Sequence, residues 1–290
     1  MRFLDWLDDR LRRGEGRFSA EFWRPHVSFA LSFECPGGGF RGRRGGADIY
    51  YTDFAVRLLS WLSPDDAVLR RIAAHAASLP AEPRNLTECF NRLNIQRLLL
   101  RRGVEADFGW EACRSYWEKA KAMCDGPYQP FLCWLCGQTL GFGIQDSKFK
   151  MKSLPEWSEG KGYERGLTSL VAAGLVMGGG NGWLSMEEMG RQTAWLRKMQ
   201  AADGGVRAHP DVACGDLLST FNGLTAAAYA GRMAEFDLPA MARFARCVLR
   251  GSGGFAGSAD DPEADLEFTY YGLGTLALLA GDDKRLKAES

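Results

Sequence analysis

An all-α fold built from repeated helical hairpins is what this 290-residue sequence predicts, on three observations. Apolar residues recur at helical period in segment after segment, clear alternating strands are missing, and 35 glycines fall in clusters with no collagen triplet or low-complexity tract. Glycine that frequent is punctuation, and punctuation at regular intervals marks an internal repeat.

The elements follow in order. Phe3, Leu4, Leu7 and Leu11 fall on one helical face, so residues 1–20 predict an amphipathic helix and lead-in that docks on the protein's own body, with a partner or membrane surface as the alternative. Acidic residues interrupt that stretch, which therefore lacks the apolar core of a secretory signal. Further helices are expected over 55–62, 94–101, 131–140, 167–176, 189–199, 221–230, 240–249 and 270–279. The longest weakly polar run, 167–180, is short of the roughly 20 apolar residues that a membrane span needs, so no transmembrane segment is expected.

Charge and cysteine content exclude several classes. With 36 Lys and Arg against 36 Asp and Glu, the net charge is zero. Nucleic acid is not an expected partner, and any anionic ligand must be held by a local cluster. The eight cysteines show no small-domain disulfide spacing. Cys89, Cys113, Cys133, Cys136, Cys214 and Cys247 sit among helix formers and read as reduced core thiols. Cys133 and Cys136 have the C-x-x-C spacing but no second such pair, so packing is expected rather than metal binding. Asn85-Leu86-Thr87 matches a glycosylation sequon without a secretory route. A reduced, cytoplasmic protein is the expectation.

The glycine clusters align on one grammar. Gly38-Gly39-Phe40 leads to Asp48 and Thr52, Gly204-Gly205-Val206 to Asp216 and Thr220, and Gly253-Gly254-Phe255 to Asp265 and Thr269. The last two aspartates are 49 residues apart and the first two 168, which leaves room for degenerate units around 85–100 and 127–141. A Gly-Gly pair allows left-handed backbone angles, the next residue is an apolar peg, and the aspartate caps a following helix. Such hairpins bury their faces only against neighbours, so five or six of them predict a solenoid or a closed ring in a single domain spanning 1–290.

The stretches GGGFRGRRGGADIYYTDFAVRLL, MQAADGGVRAHPDVACGDLLSTFNGLTAAAYAG and GSGGFAGSADDPEADLEFTYYGLGTLALLAG resemble prenyltransferase/squalene-oxidase repeats, found in protein prenyltransferase β subunits and terpenoid cyclase domains. The resemblance implies an α/α toroid, with inner helices around an apolar cavity and outer helices surrounding them. It implies prenyl transfer or cyclisation on an isoprenoid or similar apolar substrate. The alternatives are a non-catalytic toroid serving as a ligand carrier or interaction module, and a prenyltransferase β subunit with a helical protein partner.

The family's zinc set, an Asp, a Cys two residues on and a later His, is not matched: Tyr50 stands at the Cys position after Asp48, and Phe268 at the His position after Asp265. No cofactor is expected, zinc least of all, although a diphosphate substrate would bring magnesium. The D-x-D-D acid motif of class II cyclases is not met either, since Ser258 precedes Asp260 and Asp261. The resemblance does carry a diphosphate grip onto Arg43, His209 and Tyr51, with Arg41 and Arg44 adding charge. Asp48, Asp216 and Asp265 are helix caps first and, at the inner rim, the candidate catalytic carboxylates. Asp260, Asp261 and Glu267 join Asp265 in an acidic group. Tyr50, Tyr51, Phe54, Phe131, Trp134, Phe221, Phe268, Tyr270 and Tyr271 are candidate wall residues for an isoprenoid channel.

Overall fold

A computed structural model describes residues 1–62, 65–106, 108–122, 124, 128–142 and 166–282. Among the described residues, twelve α-helices, a 3-10 turn at Met233–Glu235 and one two-stranded ribbon make up the regular structure. Six helices form an inner ring: α3 (Ile49–Leu62), α5 (Leu86–Arg101), α7 (Gln129–Thr139), α8 (Thr168–Gly180), α10 (Leu217–Tyr229) and α12 (Leu266–Asp282). Each packs on the next, and α12 returns to α3 to close the circle. Outside them lie α2 (Ala20–Leu31), α4 (Asp66–Ala77), α6 (Trp110–Ala120), α9 (Met186–Lys198) and α11 (Leu238–Cys247). The division follows from sequence. Inner helices such as α8 bury residues around most of their circumference, whereas α11 buries a single stripe of Met241, Phe244 and Ala245.

The three signature units fold alike around a buried threonine. Thr52, Thr220 and Thr269 each donate their hydroxyl to the carbonyl of the aspartate four residues back, at 2.7, 2.6 and 2.5 Å. Each hydroxyl oxygen also accepts the backbone N–H of its peg, Phe40, Val206 or Phe255, at 3.0, 2.8 and 3.0 Å. The aspartates cap as expected: Asp48 accepts from Tyr50 N, Asp216 from Ser219 N and Asp265 from Phe268 N. In the degenerate unit Asn85 does the same work for α5, accepting from Glu88 N at 2.8 Å. The other degenerate stretch starts at Pro127, which lies outside the described residues.

The Gly-Gly pairs correct one expectation. Only the first glycine of each pair has a positive φ, at 88°, 94° and 91° for Gly38, Gly204 and Gly253. A Cβ there would stand 2.4, 2.3 and 2.6 Å from the carbonyl oxygens of Arg71, Ala240 and Pro25 on the next outer helix. The second glycine is required for space. A Cβ on Gly39, Gly205 or Gly254 would meet the ring of His75, Phe244 or Phe29 at 2.4, 2.8 or 2.2 Å. The third turn thus rests on α2, so the C-terminal repeat closes the ring against the N-terminal outer helix. His26 of α2 seals that seam by donating Nδ1–H to the Gly253 carbonyl, and burial lowers its pKa below 6.5, which keeps it neutral.

The N-terminal helix α1 (Phe3–Glu15) lies across the C-terminal ends of the inner helices. At one end the Phe3 ring packs on Phe131, Trp134 and Tyr229, and Phe3 N donates to Gln138 Oε1 at 3.0 Å. At the other end Gly14 abuts the backbone of Ala277 so closely that a Cβ would overlap it. Between them Arg97 of α5 binds Asp5 and Asp8, and Arg101 binds Asp5 and Asp9. Helix α1 therefore plugs one end of the ring.

The cysteines divide differently from the sequence expectation. Cys89, Cys113, Cys124, Cys133 and Cys136 are buried between α5, α6 and α7, but Cys214 and Cys247 are exposed, because Cys214 lies in the loop before α10 and Cys247 ends the outer helix α11 on its solvent side. Hydrogen bonds with neighbouring thiols, then burial, push Cys113 and Cys133 up, and burial pushes Cys136 up, all away from the reactive thiolate. A thiol reagent on the folded protein should modify Cys214 and Cys247 quickly and the five buried thiols only after denaturation. Mass mapping of modified peptides checks this, and fast labelling of Cys133 would contradict it.

Candidate functional site

The ring encloses a cavity of about 320 Å³, within the range of small-molecule sites. Helix α1 supplies its floor through Phe3, Leu4 and Leu7, and the inner helices supply aromatic walls from Phe54, Phe90, Phe131, Phe221, Tyr270 and Tyr271. The rings pack mostly edge to face: Phe54 against Tyr271 at 5.5 Å, and Phe221 against Tyr270 at 5.3 Å. Their faces and edges present an apolar surface that can also steady positive charge. The open end lies at the N-termini of the inner helices, where Tyr50, Thr87, Tyr128 and Ser169 line the wall.

One charged residue lines this cavity among the described residues: Arg57, two turns into α3. Its Nε and Nη2 donate to Asp53 Oδ2 at 3.0 and 2.5 Å, and Asn94 donates to Asp53 Oδ1 at 2.6 Å. The guanidinium lies over the rings of Phe54, Tyr270 and Phe90, at 5.0, 5.3 and 5.5 Å. Burial opposes its charge, but the Asp53 carboxylate more than offsets that and holds Arg57 cationic. Sequence reasoning missed this pair. The available signal was an Asp and an Arg four residues apart inside an otherwise apolar helix.

At the mouth, Glu267 of α12 stands on Tyr50 and Tyr271. Tyr50 Oη donates to Glu267 Oε1 at 2.8 Å, and Tyr271 Oη reaches the same oxygen at 3.4 Å. Burial raises Glu267 above the ordinary 4.5, despite the opposing hydrogen bond from Tyr50. Burial likewise pushes Tyr270 up to about 12. The phenols of Tyr50 and Tyr271 stay protonated and connect the cavity to the carboxylate.

The residues singled out by sequence separate into three groups. Tyr50 and Tyr270 line the cavity. Arg43, Asp265, Asp261 and Phe268 form a closed cluster at the rim. Arg43 donates Nε to Asp265 at 2.8 Å and forks onto Asp261 at 3.0 and 2.5 Å, while the Phe268 ring lies 5.8 Å from the guanidinium. Its Nε, Nη1 and Nη2 each donate to one of two carboxylates that are 218 and 222 residues away in sequence. Arg41 lies over the Phe33 ring and donates to the carbonyls of Gly42 and Arg43, and Arg44 is exposed. Tyr51 packs on Tyr50, and a Cβ on Gly42 would strike its ring. His209 stands elsewhere, on the loop whose Arg207 and Ala208 carbonyls bond Thr168 at the start of α8, with Asp211 at 3.3 Å. Asp216 caps α10, and burial raises its pKa; Asp48 is an exposed cap. Among the described residues no three His, Cys, Asp or Glu side chains are grouped to hold a metal ion, and no helix is long and apolar enough to cross a membrane.

Residues 170–289 match the family model of the prenyltransferase alpha-alpha toroid domain, which supports the resemblance of this part of the chain to that toroid family. The all-α ring agrees with that domain. A search of curated proteins finds no match. The threonine-locked unit at 38–52 repeats the structure of the units at 204–220 and 253–269, so the same design extends well before the matched residues.

Proposed function

We propose that this chain, with its prenyltransferase alpha-alpha toroid domain, is an enzyme that holds an isoprenoid chain in the ring cavity and carries out prenyl transfer or cyclisation there. The observation that supports this most is the pairing of an aromatic cavity, closed on one side by α1, with a proton-accepting group at its open side. Both reaction types develop carbocation character, and in cyclisation, or in transfer onto an alkene, the cation ends by losing a proton. The ring faces of Phe54, Phe221 and Tyr271 steady the cation, and the apolar wall keeps water from capturing it.

Proton loss has a route through the mouth. The substrate C–H bond breaks and its electron pair forms the new alkene. The proton passes to Tyr50 Oη as the phenol's own proton moves to Glu267 Oε1. Glu267 thus takes the acid–base role that the sequence assigned to Asp48, Asp216 or Asp265, whose carboxylates serve as helix caps. With Arg43 engaged by Asp261 and Asp265, the cavity wall rather than a rim arginine is the principal binding surface.

The test is incubation of the purified protein with isoprenoids of graded chain length, following binding by tryptophan fluorescence and products by mass spectrometry. Saturable binding with a cyclised or transferred product is expected. Binding without turnover would make the protein a carrier of apolar ligands, and no binding would remove the cavity reading.

A further inference from the structure

The cavity's charge pattern is the reverse of what a diphosphate requires. Its cation, Arg57, lies deep near the floor and is already neutralised by Asp53. The ionic cluster that continues from it through Asn94 and Arg97 into α1 contains three arginines, Arg57, Arg97 and Arg101, against four aspartates, Asp5, Asp8, Asp9 and Asp53. A polyanion at this depth would add repulsion to a group that already leans negative, and would lose its hydration as well. At the mouth, Glu267 faces the entrance, and Arg43 has both its edges on Asp261 and Asp265.

Hydrogen-bonding capacity remains at the same depth. Arg57 is the charged side chain that borders the cavity, and its neighbours on the wall include Asn91 of α5 and Thr225 of α10. Both are almost fully buried, at 3% and 4% exposure, and Asn91 Nδ2 and Thr225 Oγ1 have no hydrogen-bond partner in the protein. Buried polar atoms without partners are uncommon and point to a group that completes them. Arg57 and Asn91 offer donors, so the complementary group is an acceptor, and the neutral ion pair asks for one without charge.

We propose that the ligand is an apolar chain ending in a single uncharged oxygen, an alcohol or carbonyl, which lies head-down with that oxygen on Arg57 and Asn91 and its chain toward the tyrosines of the mouth. This rests on the reading of the cavity as an isoprenoid site and specifies its substrate class and orientation. This orientation leaves the chain's distal alkenes nearest Tyr50 and Glu267, and a ligand with no diphosphate to lose narrows the proposed chemistry from prenyl transfer to cyclisation of those alkenes.

Three probes with one chain separate the two readings: farnesene, farnesol and farnesyl diphosphate, the last with and without magnesium, titrated against the full-length protein by calorimetry. Farnesol is expected to bind about tenfold or more tighter than farnesene, the worth of one hydrogen bond to a charged donor. Farnesyl diphosphate is expected to bind no tighter than the hydrocarbon. Diphosphate binding tighter than farnesol, under either magnesium condition, overturns the proposal. If none of the three binds, the cavity reading itself fails. The double variant Asp53→Asn/Arg57→Met removes both charges together and avoids stranding one, and Asn91→Leu removes the second donor. Each should still bind farnesene, which reports an intact ring, and should lose most of farnesol's advantage. An unchanged farnesol-to-farnesene ratio in both variants also overturns the proposal.

Discussion

Gly253→Ala should destabilise the protein by roughly 3 kcal/mol or more, and Gly45→Ala by about 1 kcal/mol. Both glycines have φ near 90°, at 91° and 88°, so each substitution carries the backbone cost of a left-handed residue. They differ in what surrounds them. A methyl on Gly45 meets nothing within 4 Å, whereas one on Gly253 stands 2.6 Å from the Pro25 carbonyl oxygen. That contact cannot be relieved by a side-chain rotation, because the obstacle is backbone. Relief requires the turn to move away from α2, which would separate Gly254 from Phe29 and break the His26 hydrogen bond to Gly253. The seam is where the first and last parts of the chain meet, so its loss opens the ring. Urea unfolding of the two variants measures the difference, and equal losses would show that the turn's packing on α2 contributes nothing to closure.

That seam also explains how much of the molecule was legible. The repeat grammar was readable because its requirements are local. A tight turn needs glycine, a peg needs an apolar side chain, and a helix start needs an aspartate, all within sixteen or so residues. The threonine that locks peg to helix was visible as a recurring letter, and its role emerged only with the hydrogen bonds to Phe40, Val206 and Phe255. Outer helices α2, α4 and α6 were not anticipated. Pro25 reads as a helix breaker yet sits inside α2, and the apolar stripe of α4, from Val68 to Ala76, carries no turn signature.

Site residues were harder, because their meaning depends on distant partners. Arg43 reads as a free phosphate grip until Asp261 and Asp265 are brought to it across the ring. Arg57 and Asp53 belong to no motif and become conspicuous only when α3 is seen to face a cavity. The aromatic residues were found in part. Tyr50, Phe54, Phe131, Phe221, Tyr270 and Tyr271 face the space, while Trp134 is fully buried and stacks on Phe131 instead. Helical period places a residue on a face without saying which neighbour that face will meet.

Glu267→Gln is the second large effect, and it should appear in turnover rather than in stability. Removing a positioned base typically lowers the rate by about 10²–10⁴-fold, so kcat should fall by at least about a hundredfold with KM little changed. The carboxamide keeps an acceptor oxygen for Tyr50 and Tyr271, so the rings that shape the mouth stay in place. The pH profile gives a sharper reading. Glu267 must be ionised to take a proton, and burial raises its pKa, so the acidic limb of wild-type kcat should lie above 4.5 and vanish in the variant. Stability should move the other way. A carboxyl whose folded pKa exceeds its unfolded value holds its proton more tightly when folded, so its contribution is largest at low pH and declines as pH rises through the folded pKa. At neutral pH the native state therefore bears the cost of a buried charge, which glutamine removes, and the melting temperature of the variant should equal or exceed that of wild type. Tyr50→Phe, which keeps the ring and deletes the relay, should lose most of the rate while retaining an acidic limb from Glu267. A Glu267→Gln enzyme with wild-type kcat and an unchanged limb would remove Glu267 from the chemistry and leave it a tether for the two tyrosines.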